Sequence, residues 1–148
     1  MFFGFFFLPL SLSPVLLEGQ VGNPPNRQRK GDKGNTGGID LFIGKVRNHT
    51  DGKRVLKLEY ASYVPMAEKV MAQIESEIRG RWKVHNVLLV HRIGSLNIEE
   101  VAVVTAVSAA HRSEAFEACR YAIDKVKSIV PIWKREFFED GARWSAGG

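Results

Sequence analysis

The chain predicts an α+β domain with a mainly antiparallel sheet and two main helices. Three observations predict it. Two neighbouring strand-like runs are followed by an amphipathic helix, and this hairpin-then-helix pattern occurs twice. Turn-forming residues stand between the runs of each pair. The second helix stops at Pro131, and a last short strand pair follows, giving the order ββαββαβ(β).

The first run, "IDLFIGKVR", sets Ile39, Leu41 and Ile43 on one face with Phe42 and Val46 on the other, as in a buried strand. The turn chemistry of "NHTDGK" and the alternation of Leu56, Leu58 and Tyr60 in "VLKLEYASY" predict that these two runs pair as a hairpin. Pro65 opens a helix at its tolerated first turn. Ala67, Val70, Met71, Ile74 and Ile78 keep helical spacing, and Gly80 is the expected end. A second hairpin follows, with "VHNVLLVHRIG" and "EEVAVVTAVSA" joined by "SLNI". The next helix, "SEAFEACRYAIDKVKSIV", has Ser113 as its expected N-cap, with Glu114 and Glu117 complementing the positive end of the dipole. Its expected core stripe is Phe116, Cys119, Ile123, Val126 and Val130. "IWKREFF" and "ARWS" are short strands around the turn "EDG".

A length of 148 residues allows one domain and a tail. The hydrophobic fraction of 45% suits a globular core. Net charge is +5; residues 1–38 carry Arg27, Arg29, Lys30 and Lys33 against Glu18 and Asp32, so +2 lies in the tail and +3 in the remainder. Such a spread excess fits a small anion. Without basic runs interleaved with aromatics, the expectation is no nucleic acid. The single Cys119 excludes an intrachain disulfide and a CxxC motif, and fits a reducing, cytoplasmic setting.

The front end differs from the rest. "MFFGFFFLPLSLSPVLL" is apolar but lacks a positively charged start and is interrupted by Pro9 and Pro14. It is too short and broken for a comfortable membrane span. "EGQVGNPPNRQRKGDKGNTGG" reads as a disordered linker. The expected division is therefore an apolar leader and linker over 1–36 and a folded domain over 37–146.

Two lysines are candidate chemistry-bearing residues. At 100° per residue, Lys127 lies about 20° from Phe116, at the edge of the apolar face. A lysine there either snorkels along the core or sits in a partly dry pocket. In the second case, desolvation makes an amine a proton-transfer group near neutrality. Lys134 alternates with Ile132 and Glu136 beyond Pro131, where the chain reverses, so it can return close to Lys127. Two amines in one pocket point to an anion between them.

His111 and Arg112 precede the N-terminus of the second helix, where free N–H groups and the dipole favour a phosphate; a solvated turn explains the pair equally well. Lys45 and Arg47 mark a basic strand end, a weak signal by itself. His91 and Arg92 end a strand in the same manner and read as structural. His49 and His85 have no partners at ligand spacing, so no metal site is expected.

Taken together, "GKVRNHT", "LEYASYVPMAEK", "VHRIG" and "SAAHRSEAFEACRYAIDKVKSIVPIWKREFFEDGARW" closely resemble the large, catalytic subunit of molybdopterin synthase. The resemblance spans about residues 37–144. It implies an α/β-hammerhead fold and a homodimer. Each copy binds one small ubiquitin-like subunit ending in a Gly-Gly thiocarboxylate, which makes a heterotetramer. The implied reaction is sulfur transfer from that tail to cyclic pyranopterin monophosphate, twice, to build the molybdopterin dithiolene used in molybdenum cofactor biosynthesis. The resemblance carries the main catalytic role to Lys127 and its partner role to Lys134, with Arg135 and Glu136 in the substrate-contact segment. It carries phosphate and polar-atom binding to His111, Arg112, Lys45 and Arg47. No cofactor is implied, because the sulfur arrives activated, and the chain has no P-loop signature. Family members usually open with another strand and helix, which the Phe-rich leader does not resemble.

One helix separates His111 from Lys127 by roughly 24 Å at 1.5 Å per residue. If both groups bind one pterin, the expected solution is a composite pocket. Lys127, Lys134 and Arg47 would come from one copy, and His111 and Arg112 from its mate. The rival readings are a non-catalytic module binding a phosphate ligand and a docking protein for an acidic tail.

Overall fold

In the computed structural model, residues 15–18 and 34–146 are described. Most of the expected leader and linker, and the terminal Gly147-Gly148, lie outside the described residues. The elements are β1 (Val15–Glu18), β2 (Gly38–Lys45), β3 (His49–Thr50), β4 (Lys53–Ser62), α1 (Val64–Arg81), β5 (Val84–Asn97), β6 (Val101–Ala109), α2 (Arg112–Ile129), β7 (Ile132–Phe138) and β8 (Gly141–Ala146). All strand pairings are antiparallel, and the central path runs β2-β6-β5-β4-β7-β8. The fold is thus the expected α+β arrangement of a mainly antiparallel sheet and two helices.

Strand β5 is the spine. Residues 84–91 pair with β6, residues 94–97 pair with β4, and Val90–Ile93 pair with β1. The β1 pairing extends the edge covered by β4 back to Val90, which satisfies backbone groups that would otherwise form a bare edge there. A strand therefore stands inside the segment that reads from the sequence as an apolar leader.

The expected β2–β4 hairpin is not formed. Asp51 and Gly52, both at positive φ (50° and 77°), make a two-residue turn, but the strand it returns from β4 is only His49–Thr50. Strand β2 pairs instead with β6, Gly38 opposite Ala109 through Lys45 opposite Val101. A bulge in β4 between Val55 and Lys57 also breaks the simple alternation, so Leu56 is exposed while Val55 and Leu58 are buried.

Helix α1 runs one residue past Gly80, and Trp82 caps it by donating its backbone N–H to the Ile78 carbonyl. In α2 the N-cap is His111, not Ser113; the Ser113 hydroxyl donates to Glu114 instead, at 2.7 Å. The buried stripe is Ala115, Ala118, Cys119, Ala122, Ile123 and Val126. Phe116 is off it and 56% exposed, because small alanines let α2 lie close on the sheet and move the contact line away from Phe116. α2 rests on β2, β6 and β5, with α1 beside it. The core is formed by Met71, Ile74 and Ile78 from α1, Leu89 and Leu96 from β5, Val107 from β6 and the α2 stripe.

β2 was expected to be a buried strand, yet Ile39, Leu41 and Ile43 are largely exposed. Register places them in rows with Ser108, Ala106 and Val104, on the sheet face opposite α2. Among the described residues, no helix is long and apolar enough to cross a membrane.

Candidate functional site

Strand register builds the floor of a cavity at the C-terminal end of α2. Gly44, Val103 and His91 stand opposite one another across β2, β6 and β5, so all three face the helix. Val126 and Lys127 of α2 cover this row, and Tyr60, Ile132, Ala102 and Lys45 complete the lining. Gly44 keeps the floor open: a Cβ there would lie 2.6 Å from Val103 Cγ1.

Pro131 ends α2, and the bend it makes is tied to the end of β4, where the Ser62 hydroxyl donates to the Pro131 carbonyl at 2.8 Å. This brings β7 back along β4 with Lys134 opposite Tyr60 and Glu136 opposite Leu58. Directly opposed residues share a sheet face, so Lys134 and Glu136 lie on the same side as the Tyr60 phenol that lines the cavity.

Lys127 is exposed at the cavity rim, as a snorkelling lysine would be. Lys134 is more enclosed, with one-fifth of its side chain exposed, and its ammonium stands 3.6 Å from the Glu136 carboxylate. Glu136 is buried and also accepts a hydrogen bond from the Thr50 hydroxyl at 2.8 Å. Lys45 lines the cavity while its ammonium pairs with Glu99.

The other predicted residues lie elsewhere. Arg47 is exposed just beyond β2, next to Val46, whose backbone is pinned to Glu99 and Glu100. Arg135 points to the opposite face of β7 from Lys134 and stacks over Phe137 and Trp144, at 4.9 and 5.6 Å; its Nε is buried without a hydrogen-bond partner. His111 and Arg112 are exposed at the far end of α2. The single chain therefore places Lys127 and Lys45 on the cavity lining and Lys134 and Glu136 on the sheet face beside Tyr60, and leaves Arg47, His111, Arg112 and Arg135 outside that lining.

Two lining residues, His91 and Tyr60, read from the sequence as structural and not as site residues. His91 is 4% exposed, its Nδ1 lies 2.7 Å from the Arg92 carbonyl, and its ring meets Tyr60 edge-on at 4.8 Å between centroids. Burial pushes its pKa below the usual histidine value, and the charge of Lys127 acts in the same direction. Burial pushes the Tyr60 phenol up, with Glu136 adding to the effect. Both rings are therefore neutral at pH 7, beside cationic side chains. The signal available in the sequence was parity alone: His91 shares the inward face of β5 with Val87 and Leu89. Among the described residues, no group of three His, Cys, Asp or Glu side chains could hold a metal ion.

Comparison with known proteins agrees with this architecture. The family model described as MoaE protein matches residues 23–129. The chain is 50% identical over 122 residues to the molybdopterin synthase catalytic subunit of Bacillus subtilis, covering 82% of this chain and 78% of that protein. It is 56% identical over 108 residues to the protein of the same name from Halalkalibacterium halodurans, covering 73% of this chain and 69% of that one. The crystal structure of molybdopterin synthase from Staphylococcus aureus superposes with a TM-score of 0.72 at 47% identity, covering 76% of this chain and 82% of that one. With its fold and these relatives in agreement, the chain belongs to the MoaE protein family.

Proposed function

We propose that this chain is the catalytic subunit of a molybdopterin synthase. It moves sulfur from the thiocarboxylate tail of a small ubiquitin-like subunit to cyclic pyranopterin monophosphate, forming the molybdopterin dithiolene. The observation that carries the reading is the cavity itself: Lys127 at its rim, with Lys134 and Glu136 on the adjoining wall that Tyr60 shares. The names of the relatives at 50% and 56% identity support the reaction.

In this mechanism Lys127 supplies and recovers protons as sulfur adds to the substrate's side-chain carbons. Lys134, held by Glu136, orients the thiocarboxylate and the acyl intermediate that follows. Lys45, paired with Glu99, lines the mouth, and Arg47 lies just beyond it at the end of β2. His111 and Arg112 bind phosphate and polar atoms, and stabilise charge as the cyclic ester opens, whereas Arg135, on the opposite face of β7, takes no part at this cavity. Sulfur arrives already activated, so this reading calls for no cofactor.

His111 and Arg112 stand a helix length from Lys127, so in this reading they serve the cavity of a second copy. The exposed row Ile39, Leu41 and Ile43 supports a homodimer, since an apolar sheet face of this kind calls for a cover. Two copies with two small subunits then make a heterotetramer. The working domain is residues 37–146, and the location is cytoplasmic.

The test is reconstitution. The purified chain, thiocarboxylated small subunit and cyclic pyranopterin monophosphate should yield dithiolene, and Lys127→Ala should abolish it. Binding of the small subunit without product in the unaltered chain would overturn the reading.

A further inference from the structure

The cavity holds a buried imidazole that the proposed mechanism does not use. His91 is 4% exposed and sits on the cavity floor beneath Lys127. The Arg92 carbonyl, 2.7 Å from Nδ1, can only accept a hydrogen bond, so Nδ1 carries the ring proton. In the neutral ring Nε2 is then a lone-pair acceptor. Among the described residues, Nε2 has no hydrogen-bond partner and Lys127 has no ion-pair partner. An acceptor on the floor and an ammonium at the rim of the same cavity are complementary.

We propose that His91 is a positioning residue for sulfur transfer: its Nε2 accepts a hydrogen bond from the Lys127 ammonium and turns that amine from the rim into the cavity. The inference rests on the catalytic reading of Lys127 given above. An exposed lysine has many rotamers, and a fixed acceptor on the floor selects the one that points at the reacting atoms. The tautomer is set by the backbone of β5, so the acceptor cannot become a donor without the ring gaining a charge.

That second state defines a pH dependence. The charged and titratable groups around the ring are Lys127 from α2, Lys45 from β2, Tyr60 from β4, Arg92 on its own strand and, behind Tyr60, Lys134 and Glu136 of β7. From β6 the cavity lining takes Ala102 and Val103, neither of them titratable. Because burial lowers the pKa of the folded ring, it protonates at lower pH than an ordinary histidine. Protonation removes the acceptor and places a second cation beneath Lys127, so turnover falls on the acid side.

Two isosteric variants separate the ring nitrogens. His91→Gln keeps a carbonyl acceptor near the Nε2 position, and His91→Asn keeps only a donor near the Nδ1 position. In the reconstituted complex, His91→Asn should lower kcat by about tenfold or more with KM changed far less, the loss expected for one hydrogen bond to a charged group. His91→Gln should recover kcat to within about threefold and lose the acid limb of the pH profile. Nitrogen NMR of the unaltered protein should show an Nδ1–H tautomer whose Nε2 resonance moves in Lys127→Ala. That readout needs no turnover, so it stands even if the synthase assignment fails. A His91→Asn enzyme as fast as the unaltered one, a His91→Gln enzyme as slow as His91→Asn with both folded, or an Nε2 resonance indifferent to Lys127→Ala would overturn the inference.

Discussion

Tyr60 stands directly opposite Lys134 in the β4–β7 ladder, and this pairing joins the cavity lined by Lys127 to the Lys134–Glu136 pair. It depends on the bend at Pro131: shifting β7 by one residue would turn Lys134 and Glu136 to the other sheet face. The site is therefore a property of register as much as of residue type.

Glu136 holds this wall together. Glu136→Ala should cost about 2 kcal/mol, because it strips the Thr50 hydroxyl and the largely enclosed Lys134 ammonium of their acceptor. Glu136→Gln keeps an acceptor for Thr50 and should cost about 1 kcal/mol, since Lys134 retains some water. Urea unfolding of the two variants checks the order.

Lys127→Ala separates stability from activity. Its side chain is exposed, so unfolding free energy should change by less than about 0.5 kcal/mol. Dithiolene formation should nevertheless disappear. Denaturant titration and the reconstituted assay, run on one preparation, report both.

Gly44→Ala tests the cavity floor. The new Cβ would fall 2.6 Å from Val103 Cγ1 and 3.3 Å from Phe42 Cε1, inside van der Waals contact. Val103 is buried and cannot swing away, so overpacking should cost about 1–3 kcal/mol. Thermal unfolding measures it.

His91 should also leave a mark on stability. Its folded pKa is lowered from 6.5, so the unfolded state binds the proton more readily as pH falls. Its contribution is fully present above about 6.5 and is lost as pH drops toward the folded value. Urea unfolding at pH 7.5 and 5.5 should show a smaller acid-side loss in His91→Gln than in the unaltered chain.

The periodic elements could be read in the sequence because their signals are local. The β5–β6 hairpin, both helices and the β7–β8 pair all appear in the expected order, although β5 runs on through Ser95–Asn97, which read as the connection, because those residues pair with β4. The pairing of β2 with β6 could not be read, since the partners are some sixty residues apart and the nearby turn at Asp51–Gly52 offers an attractive local alternative. Phe116 misled for a related reason: spacing gives the apolar stripe, but only the close approach allowed by Ala115, Ala118 and Ala122 decides which edge is covered. Lys127 and Lys134 were visible as amines flanking a forced bend. Tyr60 and His91 were not, because a ring on the inward face of a strand has the same sequence signature whether it fills a core or walls a cavity.

The lining of the cavity runs from Gly44 to Ile132 and draws on five separate elements: β2, β4, β5, β6 and α2, with Ile132 opening β7 as a sixth contributor. No excised hairpin or helical fragment can reproduce it, and the last docking event during maturation must finish before any chemistry begins. Turnover is thus a sensor of complete folding, and destabilising lesions far from the amines should show first as a shrinking fraction of active molecules, each working at full speed.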